Sequence, residues 1–235
     1  SLRDLTLARL GEIDHALVSE RFFREELAGQ LSADPGARAG VVVNRSAEAG
    51  PGAAGKVEGD RAGGGDVGVV PAILLRGTAI HARTKARASR TQILGIDRRF
   101  AALYGQREAM LLRESSGPFS AVVINQSLQK ELGAQIGDPI LLSFERLSAV
   151  HRESLYGRRG SAEVVQSMRL SVSGVVPDRG GGGGFALRPH QSLPLNAFVQ
   201  LTVLQQALDQ QGAVNALLVT TAGKGVESDD GAGGE

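Results

Sequence analysis

A chain of 235 residues with 42% hydrophobic and 22% charged side chains can bury the core of one large domain or two small ones and falls outside the disordered class. Its 26 basic residues stand against 25 acidic ones, and a formal charge of +1 provides no bulk attraction to nucleic acid or to an anionic membrane. The absence of cysteine excludes disulfides and thiolate metal sites, and the longest apolar runs, such as Val67 to Leu75, are far below the ~20 residues of a membrane-spanning helix.

Ser1 and Asp4 form a loose capping box, and Leu2, Leu5 and Leu10 follow near helical spacing until Gly11. This short helix either packs on the domain or continues a membrane helix lying upstream. With no initiator methionine, leader or lipidation motif, Ser1 reads as a cut inside a longer gene. Ile13 to Val18 reads as a strand. Phe23, Leu27 and Leu31 recur at i, i+4, i+8 and predict an amphipathic helix from Phe22 to Leu31. Val41 to Val43 is a second short strand, and the glycine-, alanine- and charge-rich stretch from Ala47 to Asp66 predicts a mobile loop.

Apolar segments at Val69 to Leu75 and Gln92 to Ile96 flank the basic stretch His81 to Arg90, which predicts a long hairpin with a basic tip. The tip is either a contact for phosphate or lipid headgroups or a solvated hairpin end. It carries no interleaved aromatic residues on which bases would stack, so nucleic acid is not an expected partner. Gly95-Ile96-Asp97 then passes into a short helix through Phe100 and Leu103.

In Ser120 to Phe144, Ala121 to Ile124 reads as a strand and Asn125 as the cap of a helix whose buried face is Leu128 and Leu132. Gly133 ends that helix, and Gly137-Asp138-Pro139 turns the chain into a strand from Ile140 to Phe144. Arg146 to Ser161 suits an exposed connection, and Val164 to Val176 alternates as a half-buried strand. The run Gly180 to Gly184 leads into Phe185-Ala-Leu-Arg-Pro189, which cannot open a helix as a phosphate loop must, so it reads as a flexible linker. Asn196 to Val219 is a βαβ unit, with Leu201, Leu204 and Leu208 on its helix and Gly212 as the stop. From Ala222 onward no apolar residue anchors the chain, and residues 223–235 read as a disordered tail.

No constellation of catalytic residues emerges. His15, His81, His151 and His190 are scattered singly, the carboxylates are dispersed, and no nucleophile elbow or HExxH is present. Neither a catalytic, a cofactor-binding nor a metal-binding residue is assigned, and no cofactor is expected.

Three stretches together carry a resemblance. Ile124-Asn125 followed by Ser127-Leu128, Leu132-Gly133 and Ile136-Gly137-Asp138, then Val172-Ser173-Gly174-Val175-Val176-Pro177-Asp178, then Leu193 to Val219 with its Leu-Gln helix, glycine turn, asparagine and last strand, resemble in order the extracytoplasmic domain of MacB/FtsX-type ABC transporter permeases. Gly95-Ile96-Asp97 with Phe100 resembles a further step of that family. The matched positions are scaffold positions, so none is carried over as a binding residue.

The resemblance implies an α+β fold in which residues 1–105 and 185–222 form a discontinuous, βαβ-containing porter-like subdomain and residues 106–184 an inserted, strand-rich Sabre-like subdomain. It implies a non-enzymatic, periplasmic part of an inner-membrane transporter that transmits ATP-driven movement. The implied partners are a cytoplasmic ATPase subunit, a second permease copy, and a periplasmic adaptor or lipoprotein. No nucleotide is expected to bind this domain itself. The alternative is a free-standing soluble binding protein that acts on an anionic partner through its basic hairpin; a hydrolase with a loop-built site is a third possibility.

Overall fold

The computed structural model describes residues 10–11, 13–33, 67–104, 119–145, 165–179, 182–187 and 192–221. The expected N-terminal helix apart from its last turn, the strand at Val41 to Val43, the loop at Ala47 to Asp66, the connection at Arg146 to Ser161 and the C-terminal tail all lie outside these residues.

The described elements run β1 (His15–Arg24), α1 (Glu26–Ala33), β2 (Val67–His81), β3 (Arg87–Ile96), α2 (Arg98–Ala102), β4 (Ala121–Asn125), α3 (Gln126–Leu132), β5 (Pro139–Glu145), β6 (Val165–Val176), a 3-10 turn (Gly182–Gly184), β7 (Asn196–Gln200), α4 (Leu201–Leu208) and β8 (Ala213–Thr221). The α+β class expected from the sequence is the one observed.

All eight strands share one mixed sheet, in the order β1-β8-β2-β3-β7-β4-β6-β5, with a further pairing between β2 and β5. That last pairing closes β2, β3, β7, β4, β6 and β5 into a ring, from which β8 and β1 continue as a flap. The closure depends on the length of β2. One edge of this strand pairs with β8 over Val67–Ala72 and then with β5 over Gly77–His81, while the other edge holds β3. Between the two partners, the Asn215 side chain substitutes for a strand: its Oδ1 accepts the Leu74 N–H at 2.8 Å and its Nδ2 donates to the Leu74 carbonyl at 3.0 Å. The fork therefore leaves no unpaired backbone at Leu74.

Strands β3 and β7 lie side by side in parallel, with Gln92 opposite Asn196, and everything from Asp97 to Leu195 is threaded between them. Strands β4, β5 and β6 from that stretch return to complete the ring. β7, α4 and β8 form the expected βαβ unit, whose crossover spans β3 and β2. Asp209, in the left-handed conformation at φ 57°, caps α4, and Gly212 lies in the turn beyond it.

Helix boundaries follow the local chemistry. The Asn125 side chain accepts the Leu128 N–H and caps α3, Gly133 at φ 61° closes it, and Leu128 and Leu132 are its buried residues. Asp97 caps α2 by accepting the Arg99 N–H. One sequence-based boundary moves: the helix expected from Phe22 begins at Glu26, because β1 runs on to Arg24 and pairs Phe23 with Val214. Residues 19–22 bulge opposite the single residue Asn215. The i, i+4, i+8 spacing is nonetheless real, since Phe23, Leu27 and Leu31 all pack on the same core.

Two cores cover the two faces of the sheet. Ile73, Ile93, Val122, Leu142 and Val199 pack under α3 and α4 on one face. Val70, Leu94, Val123, Phe198 and Leu218 meet Phe100 of α2 and Phe185 on the other. With both faces covered, β4 and β7 read as continuous apolar runs instead of alternating ones.

The glycine run is not a free linker where it is described. Gly182–Gly184 are buried, and a Cβ on Gly183 would stand 2.1 Å from the Pro177 carbonyl oxygen. Only glycine permits that approach.

Candidate binding tip of the β2–β3 ribbon

Among the polar residues of the three resembling stretches, Asn125, Asn196, Gln205 and Asn215 are buried and Asp178 half-buried, and each bonds backbone groups. Asn125 Oδ1 accepts the N–H of Leu128 at 3.1 Å and of Asn196 at 3.0 Å, while its Nδ2 donates to the carbonyls of Gly183 and Pro194. Asn196 Nδ2 adds bonds to Gly183 and Phe185, and Asp178 receives both the N–H and the hydroxyl of Ser127. Gln205, buried on α4, donates to Ala213 O at the start of β8 and to Glu25 Oε2 in the β1–α1 turn. Glu25 Oε1 also receives Arg99, which in turn holds Asp97. These side chains hold β4, β6, β7 and β8 in register. None presents a free reactive group to solvent.

Of the four histidines, His151 and His190 lie outside the described residues, and His15 is half-buried on β1. His81 is buried at the tip of the β2–β3 ribbon. Its Nδ1 accepts the N–H groups of Arg83 at 3.1 Å and Thr84 at 3.3 Å, so the ring proton sits on Nε2, directed at Asp138 Oδ2 3.1 Å away. A histidine–carboxylate pair is part of a nucleophilic triad, yet here both ring nitrogens are engaged by the protein. No position remains from which the ring could exchange a proton with substrate. The pair pins the ribbon tip to the turn before β5, a role the sequence did not disclose because the two residues lie far apart along the chain.

Asp138 also receives the Gln135 N–H at 2.9 Å and the Arg83 guanidinium. The Gln135 backbone bond, followed by the His81 and Arg83 bonds, holds its carboxyl below the usual range against the opposing effect of desolvation. Burial drives the Tyr104 hydroxyl, which donates to Leu10 O at 3.2 Å, far above its ordinary pKa.

The expected hairpin with a basic tip is thus present, with His81 turned inward and Arg83, Lys85, Arg87 and Arg90 exposed. Ile136, 68% exposed in the turn that carries Asp138, stands beside the tip as an apolar side chain open to solvent. Among the described residues no group of three or more histidines or carboxylates could hold a metal ion, and no helix is long and apolar enough to cross a membrane.

No protein-family model matches the chain, and no curated protein matches it. Three solved structures to which it is similar are extracytoplasmic domains or domains of permeases. The periplasmic region of MacB from Actinobacillus actinomycetemcomitans is 14% identical over 68% of this chain and 60% of its own, with a TM-score of 0.37. A domain of a putative permease protein from Porphyromonas gingivalis is 14% identical over 93% and 78%, with a TM-score of 0.43. The extracellular domain of the noncanonic ABC-type transporter YknZ from Gram-positive bacteria is 12% identical over 66% and 65%, with a TM-score of 0.34. The chain covers less than two thirds of the first and third of these.

Proposed function

We propose that the chain is an extracytoplasmic domain of a MacB/FtsX-type ABC transporter permease, which carries movement generated by a cytoplasmic ATPase to a contact made outside the inner membrane. The observation that carries this reading is the placement of the ends. β1 and β8 pair with His15 opposite Val219, and β2 starts alongside them with Val67 opposite Thr221. A chain that enters through β1 and leaves through β8 does so at one end of the sheet. From that end β2 runs 15 residues to the basic tip, roughly 50 Å for an extended strand.

The arrangement suits a lever. Membrane segments joined to β1 and β8 would move one end, and a continuous strand, built into a closed ring, would carry the displacement to the other. The tip, with Arg83, Lys85 and Ile136, then faces away from the bilayer toward an adaptor, a lipoprotein or a second permease copy. The scaffold role of Asn125, Asp178, Gln205 and Asn215 supports the same reading, since the resembling stretches are the ones that build this frame.

The test is the size and location of the native product, read by blotting fractionated cells with antibody raised to this chain. A membrane-bound band much larger than 24.5 kDa, with its epitope accessible from outside the inner membrane, is the expected result. A soluble cytoplasmic band near 24.5 kDa would overturn the proposal.

A further inference from the structure

Two cavities open on the outer face of the β2–β3 ribbon and join. The first, about 500 Å3, is lined mainly by apolar side chains, among them Ile13, Val18, Leu74, Leu94, Phe185 and Leu187. The second, about 620 Å3, contains Arg76, Arg87 and Arg90 together with the hydroxyls of Thr78 and Ser143. Arg76 and Gln92 belong to both linings, so the two cavities meet at these side chains. Strand alternation produces this: Leu74, Arg76 and Thr78 project from the same side of β2, apolar near the fork and polar beyond it.

The cationic half has two further features. None of Arg76, Arg87 and Arg90 has an ion-pair partner among the described residues. Arg90 is also the extra residue of a β-bulge, between the pairs Thr78–Ser89 and Gly77–Thr91, and holds the left-handed conformation at φ 60°. A bulged arginine in a strained conformation re-aims its side chain out of the strand's alternation, and such outliers persist where surrounding structure imposes them. Asp14 and Glu145 are the carboxylates on the combined lining. The three arginines outnumber them and line one cavity from β2 and β3.

We infer that this groove binds an anionic amphiphile, with one apolar chain lying against Val18, Leu74 and Leu187 and a phosphate or carboxylate head received by Arg76, Arg87 and Arg90. Guanidinium forks match the geometry of such oxyanions, and each half of the groove is of single-ligand size. The inference does not depend on the permease reading, and its failure would leave that reading where it stands.

Calorimetric titration of the full chain with decyl phosphate, decyl maltoside and inorganic phosphate, each below micelle-forming concentration, tests both halves. Saturable 1:1 binding of decyl phosphate, at least tenfold tighter than either of the others, is the expected result. Equal binding of the uncharged maltoside would overturn the role of the arginines, equal binding of inorganic phosphate that of the apolar half, and no saturable binding the whole inference. The variant R76A/R87A/R90G is expected to lose tenfold or more for decyl phosphate while leaving maltoside binding unchanged. Leu74→Asn should weaken decyl phosphate and leave inorganic phosphate unchanged. A folded triple variant, checked by circular dichroism, that retained full affinity for decyl phosphate would also overturn it.

Discussion

Replacing Asn125 by leucine removes one side chain and strands three backbone groups. The Leu128 N–H and Asn196 N–H lose the Oδ1 acceptor, and the Pro194 carbonyl loses the Nδ2 donor; Gly183 O keeps its bond to Asn196 Nδ2 at 3.0 Å. Asn125 is fully buried, so water cannot readily replace these bonds. At about 1–3 kcal/mol for each buried group left unsatisfied, the gross loss is about 3–9 kcal/mol. Leucine has similar bulk, and its apolar burial returns about 1–2 kcal/mol of that. The expected net loss therefore lies between about 1 and 8 kcal/mol. Urea unfolding read by circular dichroism should show a lower midpoint at unchanged slope, and melting should fall by roughly 2–4 °C per kcal/mol for a chain of this size. A loss below about 1 kcal/mol would refute the view that this amide ties β4, β7 and the glycine turn together.

Gly183→Ala should destabilise by about 2 kcal/mol or more, because the new methyl meets the Pro177 carbonyl at 2.1 Å and backbone must shift to admit it; the same urea titration measures it. Arg90→Gly should stabilise by about 0.5–1 kcal/mol, the cost of a left-handed side-chain-bearing residue less the chain entropy of glycine, and an unchanged or lower melting temperature would count against strain at the bulge. Asp138 has a depressed carboxyl, so its contribution to stability is present above the unfolded-state pKa of about 3.9 and is lost as pH falls through the lower folded value. In acid unfolding, Asp138→Asn should start less stable at neutral pH and show a shallower decline below about pH 4; parallel curves for the two proteins would remove Asp138 from the account.

Much of the local structure could be read from the residues in hand. Asn125, Leu128, Leu132 and Gly133 mark α3 because capping and the 3.6-residue period act over a few residues, and Gly137-Asp138-Pro139 marks the turn into β5 for the same reason. The hairpin from β2 to β3 was equally legible, its apolar arms and basic tip being contiguous in sequence. The candidate tip was thus half visible: its charge could be read, but the inward turn of His81 could not, since Asp138 reaches it from another part of the chain.

Tertiary structure decided what depends on distant partners. Phe23 keeps helical spacing with Leu27 and Leu31, yet hydrogen bonding to β8 draws it into a strand, because ladder bonds across the sheet outweigh a weak local preference. Gly182–Gly184 look like a spacer in sequence and become a buried turn because Asn125 and Asn196 supply donors to the Gly183 carbonyl. The ring itself exists because one edge of β2 changes partner at Leu74, where Asn215 fills the gap. The sequence by itself determined the elements, their caps and their apolar faces, all products of short-range sterics and periodicity. Which strands would meet, and which polar side chains would be buried where they meet, was settled only by the pairing of distant backbone donors and acceptors across the closed sheet.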